Sequence, residues 1–537
     1  MIIRVLLVAV FTVLGHANAQ QLAINSTTYY GGTNVERIQR IIPTADRGFL
    51  AVGTTNSQNG NFPTHFSQTF NALITKHDSN GTIQWAKVFG GSDLETAHAA
   101  TQTADGGYAI ACVTGSYDGD VPARIGAIAN TSDTWVLRLD ASGNLLWSKV
   151  YGSSLSDPPT DIIATPDGGL LMLIVSGGSD SDAVGFIGPS LTTDWILIKT
   201  DGQGNRQWRR TLGGTDFEDM PSHLFNAPGG GYYLVGGALS HDSSLREDNL
   251  WPGGVDPKYG PVFLKLSDSG QVEWCKRYGG STPCITWGAL FDPSDTTLVA
   301  FGQTNSDDYY FTGNHRKQNG QRSEDMFLVK VNKNGELVFS KLLGTSNDEY
   351  GMAVARQPNG SYLIAGDQYP GPNGGKDVRV FLASALGDSL LTRTFGAASH
   401  DEARGVLASG NGWLIAGVCT NPPFTQSPTG SGGHPQGNIF VSKVEYWPTS
   451  IVDPSDETNA TLRLAPNPAR EEVICYLPFT MSGKLSLFSS GGKLVFEERF
   501  QSSKKMIIAL SELPVGVYSV VVEGIGHGRW SAQLTTQ

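Results

Sequence analysis

From residue 95 onward the chain alternates short apolar stretches with polar breaks: ETAHAATQT, ADGG, YAIACVT, a longer polar insertion, WVLRLD, ASG and NLLWSKVYG. Each stretch has strand length, and each break is rich in Gly, Asp or Asn, so the segment predicts four strands with two tight connections. The first connection is of the Asp-Gly-Gly type (Asp105-Gly106-Gly107, Asp167-Gly168-Gly169), where Gly supplies the positive φ that hairpin turns require. The second is Asp-x-x-Gly, as at Asp78/Gly81, Asp140/Gly143 and Asp201/Gly204.

The unit recurs. An aromatic residue or Leu followed by Gly and a small residue stands at Tyr30, Phe89, Tyr151, Leu212, Tyr278, Leu343 and Phe395, at spacings of 59, 62, 61, 66, 65 and 52 residues. Such a period marks an array of units that bury their faces against one another. A tryptophan four residues after the Asp-x-x-Gly glycine also recurs, at Trp85, Trp147, Trp208 and Trp274, with Phe339 in its place in the sixth copy. A residue fixed in strand position from copy to copy is a packing position. Four antiparallel strands repeated radially make a β-propeller, which limits exposed sheet edges by closing a ring.

The last copy has three strands, ending in NIFVSKVE, and LAINSTTYYGG near the N-terminus stands as a fourth strand with no three before it. The expectation is therefore an all-β chain: a seven-bladed β-propeller over residues 20–445, closed by an N-terminal strand. The repeats resemble those of large secreted propeller proteins of Bacteroidetes-type bacteria, whose units read much like DGGYxIxGxT followed by DxWxxKxDxxGxxxWxKxYGG.

Composition agrees with strands and turns: 66 of 537 residues are Gly and only 16% are charged. A net charge of −12 without a run of Lys or Arg argues against a nucleic-acid partner. Five widely separated cysteines do not form a disulfide scaffold, and only Cys275 and Cys284 are near enough in sequence to suggest a local bridge. The first 19 residues, with Arg4, an apolar run from Val5 to Leu14 and Ala17-Asn18-Ala19, read as a signal peptide. Their apolar core is too short for a membrane span.

After a Pro-, Ser- and Thr-rich linker at 446–461, residues 462–537 return to short alternating runs (VICYL, KLSLFS, LVFEERF, MIIAL, YSVVVE) that predict a small β-sandwich. This tail resembles the type A C-terminal sorting domain of type IX secretion cargo through Pro466-Asn467-Pro468, the Gly491-Gly492 turn, and the Leu-Pro-Val-Gly-Val-Tyr run with Gly516 and Tyr518. The resemblance implies the secretion machinery as a partner, and release from, or display on, the outer surface of a Gram-negative bacterium.

The two tight turns of each unit emerge on one face, and the long second-to-third-strand loops on the other, which makes the long-loop face the candidate for binding. Two groups of residues there carry candidate chemistry. The sixth residue after each marker is acidic in six copies, at Glu36, Glu95, Asp157, Glu218, Glu349 and Asp401. A ring of such carboxylates at the mouth of the central channel would hold a cation, Ca²⁺ suiting oxygen ligands; recurrence in nearly every copy favours instead a structural acceptor for backbone N–H groups. Loop aromatics at Phe62, Phe66, Trp251, Tyr259, Tyr309 and Tyr310 would stack on sugars or grip a peptide, or else pin their own loops. The familiar hydrolase, protease and nucleotide motifs are missing from the sequence. The leading expectation is a non-enzymatic binding or adhesion scaffold for glycan or protein; the alternatives are an extracellular polysaccharide hydrolase or lyase and a structural surface-layer component.

Overall fold

The computed structural model describes residues 21–65, 67, 69–122, 125, 131–187, 192–215, 220–246, 259–396, 400–409, 412–420, 438–447, 463–465, 472–489, 493–510, 513–524 and 528–536. Nearly all regular structure in them is β, with two three-residue 3-10 turns besides. Residues 21–447 form one compact unit, and the C-terminal strands belong to another.

The first unit contains seven four-stranded antiparallel sheets among the described residues. Sheets 1 to 6 take their strands in chain order from 36–89, 95–151, 159–212, 220–277, 284–343 and 348–395. Sheet 7 orders Asp401–Ser409, Gly412–Cys419, Asn438–Trp447 and then Gln21–Tyr30, so the N-terminal strand is its outer edge. The first strand of each sheet packs against the first strand of the next, and Asp401–Ser409 packs against Glu36–Pro43. Burial follows this succession. Each of seven apolar clusters draws from two neighbouring sheets; the one holding Tyr30, Ile38, Phe49, Leu414 and Ile439 joins sheet 7 to sheet 1. The second and third strands are buried on both faces, as a strand covered by a sheet on either side must be.

The recurrent aromatics lock neighbouring sheets together. Trp85, Trp147, Trp208 and Trp274 each lie against the Asp-x-x-Gly glycine of the following sheet: a Cβ on Gly143, Gly204, Gly270 or Gly335 would stand 2.9, 2.7, 2.8 or 2.7 Å from the indole. Tryptophan and glycine are therefore two halves of one contact. The marker tyrosines reach the same turn, since Tyr30, Tyr151 and Tyr278 donate their hydroxyls to the carbonyls of Gly81, Gly204 and Gly335 at 2.5 to 2.6 Å. At the other tight turn the carboxylate pairs with a basic residue of the third strand, Asp46 with Lys76, Asp105 with Arg138, Asp167 with Lys199 and Asp295 with Lys330.

The C-terminal unit is one hydrogen-bonded sheet of five strands, Arg463–Ala465, Glu472–Ser489, Leu494–Ala509, Gly516–Gly524 and Gly528–Thr536. The second and third are long, and their pairing is interrupted between Tyr476 and Met481. The first strand pairs before that break and the fourth after it. Both halves contribute to one core, with Val473, Cys475 and Ile508 from one and Leu485, Leu487, Val520 and Val522 from the other.

All five cysteines are buried free thiols, so Cys275 and Cys284 are not bridged. The Cys284 thiol lies 3.3 Å from the Thr304 hydroxyl, and Cys275 contacts the Leu245 carbonyl.

Candidate functional site at the inner mouth of the ring

Four of the acids singled out from the repeat hold their own loops. Glu36 accepts from the Gly32 N–H and the Thr55 hydroxyl, Glu95 from Gly91 and Thr114, Asp157 from the Ser153 N–H and hydroxyl, and Glu349 from the Thr345 N–H and hydroxyl. These four and Asp401 are buried. Cys284 takes the same place in sheet 5, and Glu218 lies outside the described residues. Glu36, Glu95, Asp157 and Glu349 thus turn into their own loops rather than toward a shared cation, satisfying N–H groups that burial would otherwise strand. Burial pushes the Glu349 carboxyl up to about 7 and raises those of Glu95 and Asp157.

A second carboxylate or amide that the sequence reading missed completes this arrangement. Asn71, Asp133, Asp194, Asp325, Asp377 and Asn438 open the third strands and are fully or almost fully buried. A Cβ on the Gly that follows the fourth strand of the same sheet (Gly90, Gly152, Gly213, Gly344, Gly396 and Gly31) would meet one of their oxygens within 3 Å. The long loops begin with a staple of the same kind: Ser116 and Asp118 accept from the N–H groups of Asp93 and Ser92, and Asp180 and Asp242 accept from those of Ser154 and Thr215. These Asp-rich loops hold backbone N–H groups, and no group of three or more metal-ligating side chains occurs among the described residues.

The loop aromatics are mostly anchors. Phe62 is buried in the core between sheets 7 and 1. Tyr310 packs edge-on against Tyr278 with ring centres 5.0 Å apart. Tyr259 is half-buried over Gly237, and its carbonyl accepts the Cys284 N–H. Tyr309 is half-buried at φ +52°. Phe66 and Trp251 lie outside the described residues.

What faces the ring axis comes from a feature that pattern reading does not show. Every first strand carries a β-bulge, whose extra residue is Gln39, His98, Thr160, Ser222, Trp287, Met352 or Arg404 in sheets 1 to 7. A bulge re-aims a side chain out of the ladder. Midway along these strands Arg40 of sheet 1 crosses to sheet 3, with Nη1 2.5 Å from Asp161 Oδ1, and Asp161 in turn accepts the Leu224 N–H of sheet 4. His98 and His223 share this region; burial, with Arg40 nearby, lowers the first to about 4 and the second well below its usual range.

Toward the long-loop face, sheets 5 to 7 assemble partly exposed groups. Trp287 is 44% exposed and donates its indole N–H to Gln303 at 2.8 Å. Lys376 lies 5.7 Å from the Tyr350 ring centre and 3.3 Å from Glu402, which also pairs with Arg404. Glu324 accepts from Asn305, and its carboxyl is raised by burial and by Asp348. Neighbouring sheets 5, 6 and 7 thus carry an indole, a phenol, two cations and two carboxylates at partly exposed positions, a composition suited to a polar ligand with flat or hydroxylated surfaces.

In the tail, Pro466, Asn467, Pro468, Gly491 and Gly492 lie outside the described residues. Gly516 opens a strand and donates its N–H to Thr536, while the buried Tyr518 donates its hydroxyl to the Pro514 carbonyl at 2.7 Å. These two positions pin the turn that starts the strand.

Against known proteins, 231 residues are 26% identical to the regulatory protein FlaEY of Caulobacter vibrioides, covering 41% of this chain and 23% of that one. The chain thus spans about a quarter of that relative's length. Among solved structures, the Neurospora crassa Pan2 WD40 domain aligns at 8% identity and TM-score 0.40 over 80% of this chain and 96% of that one. The β-propeller domain of the Pyrococcus furiosus Trilobed protease aligns at 10% identity and TM-score 0.38, over 72% and 91%. Residues 463–532 match the secretion system C-terminal sorting domain, and no helix among the described residues is long and apolar enough to cross a membrane. The chain therefore ends in a type IX sorting domain, and the protein is an export cargo of that system, displayed on the cell surface or released.

Proposed function

We propose that the seven sheets are the blades of one closed β-propeller over residues 20–445, joined by a 446–461 linker to a sandwich-like sorting module at 462–537. On this reading the propeller is a non-enzymatic scaffold that binds extracellular glycan or protein through its long-loop face. The shared core between sheets 7 and 1 supports closure. The binding role rests on one observation: the rim of Trp287, Tyr350, Lys376, Glu402 and Arg404 is partly exposed on a scaffold whose other recurrent polar groups serve its own backbone. Rigid display of such groups is how propeller-type scaffolds present a surface, and fold alone assigns no chemistry.

The test is binding of the secreted protein to an array of polysaccharides and glycoproteins, with product formation checked for each positive. The expected result is binding without turnover, weakened at least tenfold by Trp287→Ala, and insensitive to EDTA because the repeated carboxylates are buried. Turnover of a bound polymer, or binding untouched by Trp287→Ala together with Glu402→Gln, overturns the reading.

A further inference from the structure

The tight-turn face also carries a cavity. Between sheets 3 and 4 a cleft of about 480 Å³ is lined by Asp167, Gln207, Trp208, Asn226, Tyr232 and Asp268, with the turn glycines at its lip. Its origin is a substitution within the repeat. Sheets 1 to 3 carry a carboxylate in the first turn, at Asp46, Asp105 and Asp167, that reaches the basic residue of its own third strand. In sheet 4 that position is Gly229, at φ +90°, and nothing stands within 4 Å of where its Cβ would be. Lys265 pairs instead with Glu273 at 3.3 Å. With no side chain at Gly229, that position lies open at the lip of the cleft.

We propose that this cleft is a binding site for one neutral sugar unit. A volume of 480 Å³ lies within the usual range for small-ligand pockets, roughly 300 to 1,000 Å³. Trp208 and Tyr232, with ring centres 6.4 Å apart and planes inclined by 54°, form an apolar wall against which the C–H face of a pyranose can lie. The acceptors facing that wall are held in place. Asp167 takes both oxygens to Lys199 at 2.8 and 3.0 Å, and Asp268 accepts the Gly231 N–H at 2.6 Å. Gln207 gives its carbonyl to Lys199 at 3.0 Å, which turns its amide N–H groups outward. The Tyr232 hydroxyl sits in the field of Asp167 and Asp268, and burial first, then these carboxylates, push it up to about 12, so it remains a donor. Two carboxylates with spare lone pairs, one amide donor and one phenol match hydroxyl groups, which both donate and accept. Lys199, the cation lining the cleft, is engaged by Asp167, Thr200 and Gln207 and is not free to pair with an anionic sugar.

This proposal stands apart from the long-loop reading, since it concerns the opposite face. The test titrates the full secreted protein with neutral monosaccharides (glucose, galactose, mannose, fucose, N-acetylglucosamine) by saturation-transfer NMR and calorimetry. The expected result is saturable binding of at least one at millimolar Kd. Gln207→Ala with Asp268→Asn should weaken it by about tenfold or more, from roughly fivefold per hydrogen bond lost. Trp208→Phe should also weaken it, whereas Trp147→Phe, at the matching site between sheets 2 and 3, should not. Trp287→Ala should leave it unchanged, which separates failure here from failure of the long-loop reading. No sugar saturating below about 50 mM, or equal binding by the Gln207/Asp268 double variant, overturns the proposal.

Discussion

The contact between Trp147 and Gly204 can be tested as a pair. Gly204 has φ +76°, and an added Cβ would stand 2.7 Å from the indole and 3.0 Å from the Tyr151 hydroxyl. Gly204→Ala therefore pays about 1 kcal/mol for an L-residue in the left-handed region. It also forces the indole or the turn to move, at about 1 to 3 kcal/mol for overpacking. The single variant should lose about 2 to 4 kcal/mol. Trp147→Ala alone should cost about 2 to 3 kcal/mol, below the usual 3 to 5 because the ring is half-buried. In the double variant the indole clash has no partner, and only the backbone term and the close approach to the Tyr151 hydroxyl remain. The double cost should then fall short of the sum by about 1 to 3 kcal/mol. The assay is urea unfolding followed by circular dichroism, with the slope required to stay constant across the four proteins. Additivity within about 0.5 kcal/mol would show that the Trp and Gly are not two halves of one contact, and the account of the repeat would fall with it.

Other outcomes follow from the same geometry. Tyr278→Phe should cost about 1 to 2 kcal/mol in urea unfolding, because it leaves the buried Gly335 carbonyl without its 2.6 Å donor; a neutral effect would mean that water or another donor replaces the hydroxyl. Glu349 has a carboxyl raised to about 7 by burial, so its contribution is present below about pH 4 and is lost as pH rises toward 7. Glu349→Gln should flatten the decline in melting temperature across that window, and an unchanged profile would refute the assignment. Asp105 behaves oppositely: its bonds to Thr103 and Arg138 hold the carboxyl at about 2, so its stabilisation is present above about pH 4 and is lost as pH falls toward 2. Asp105→Asn should remove a small part of the acid-side slope and leave neutral stability nearly unchanged, the carboxylate being largely exposed.

The period, the four strands per unit and the N-terminal strand were legible because each rests on a local rule: a Gly where φ must be positive, alternation where a strand is half-buried, a unit with a strand missing. The outer tryptophans were legible as packing positions for the same reason, although their partner was not. That Trp147 needs Gly204 is a statement about two sheets, and only the stacking of neighbours brings position four of one unit onto the turn of the next. The acids were visible but not their direction. A carboxylate six residues after a marker reads alike whether it faces solvent or its own loop, and what decides is the demand of the Gly-Gly N–H groups at buried depth.

The two candidate sites were missed for a related reason: each depends on where the repeat departs from itself. Trp287 reaches the rim because a bulge adds one residue to a first strand, and every first strand has that bulge, so only the residue type distinguishes sheet 5. The cleft exists because Gly229 stands where sheets 1 to 3 have Asp, and a missing side chain gives no signal to a search for functional groups. In a repeat architecture, positions shared by all units are already engaged in holding the ring, as the stapled loops and the turn ion pairs show. Groups left for a ligand must then be sought at positions where one unit differs from its siblings. Comparing the seven copies with one another therefore narrows the search for function more than ranking acids or aromatics by their chemistry.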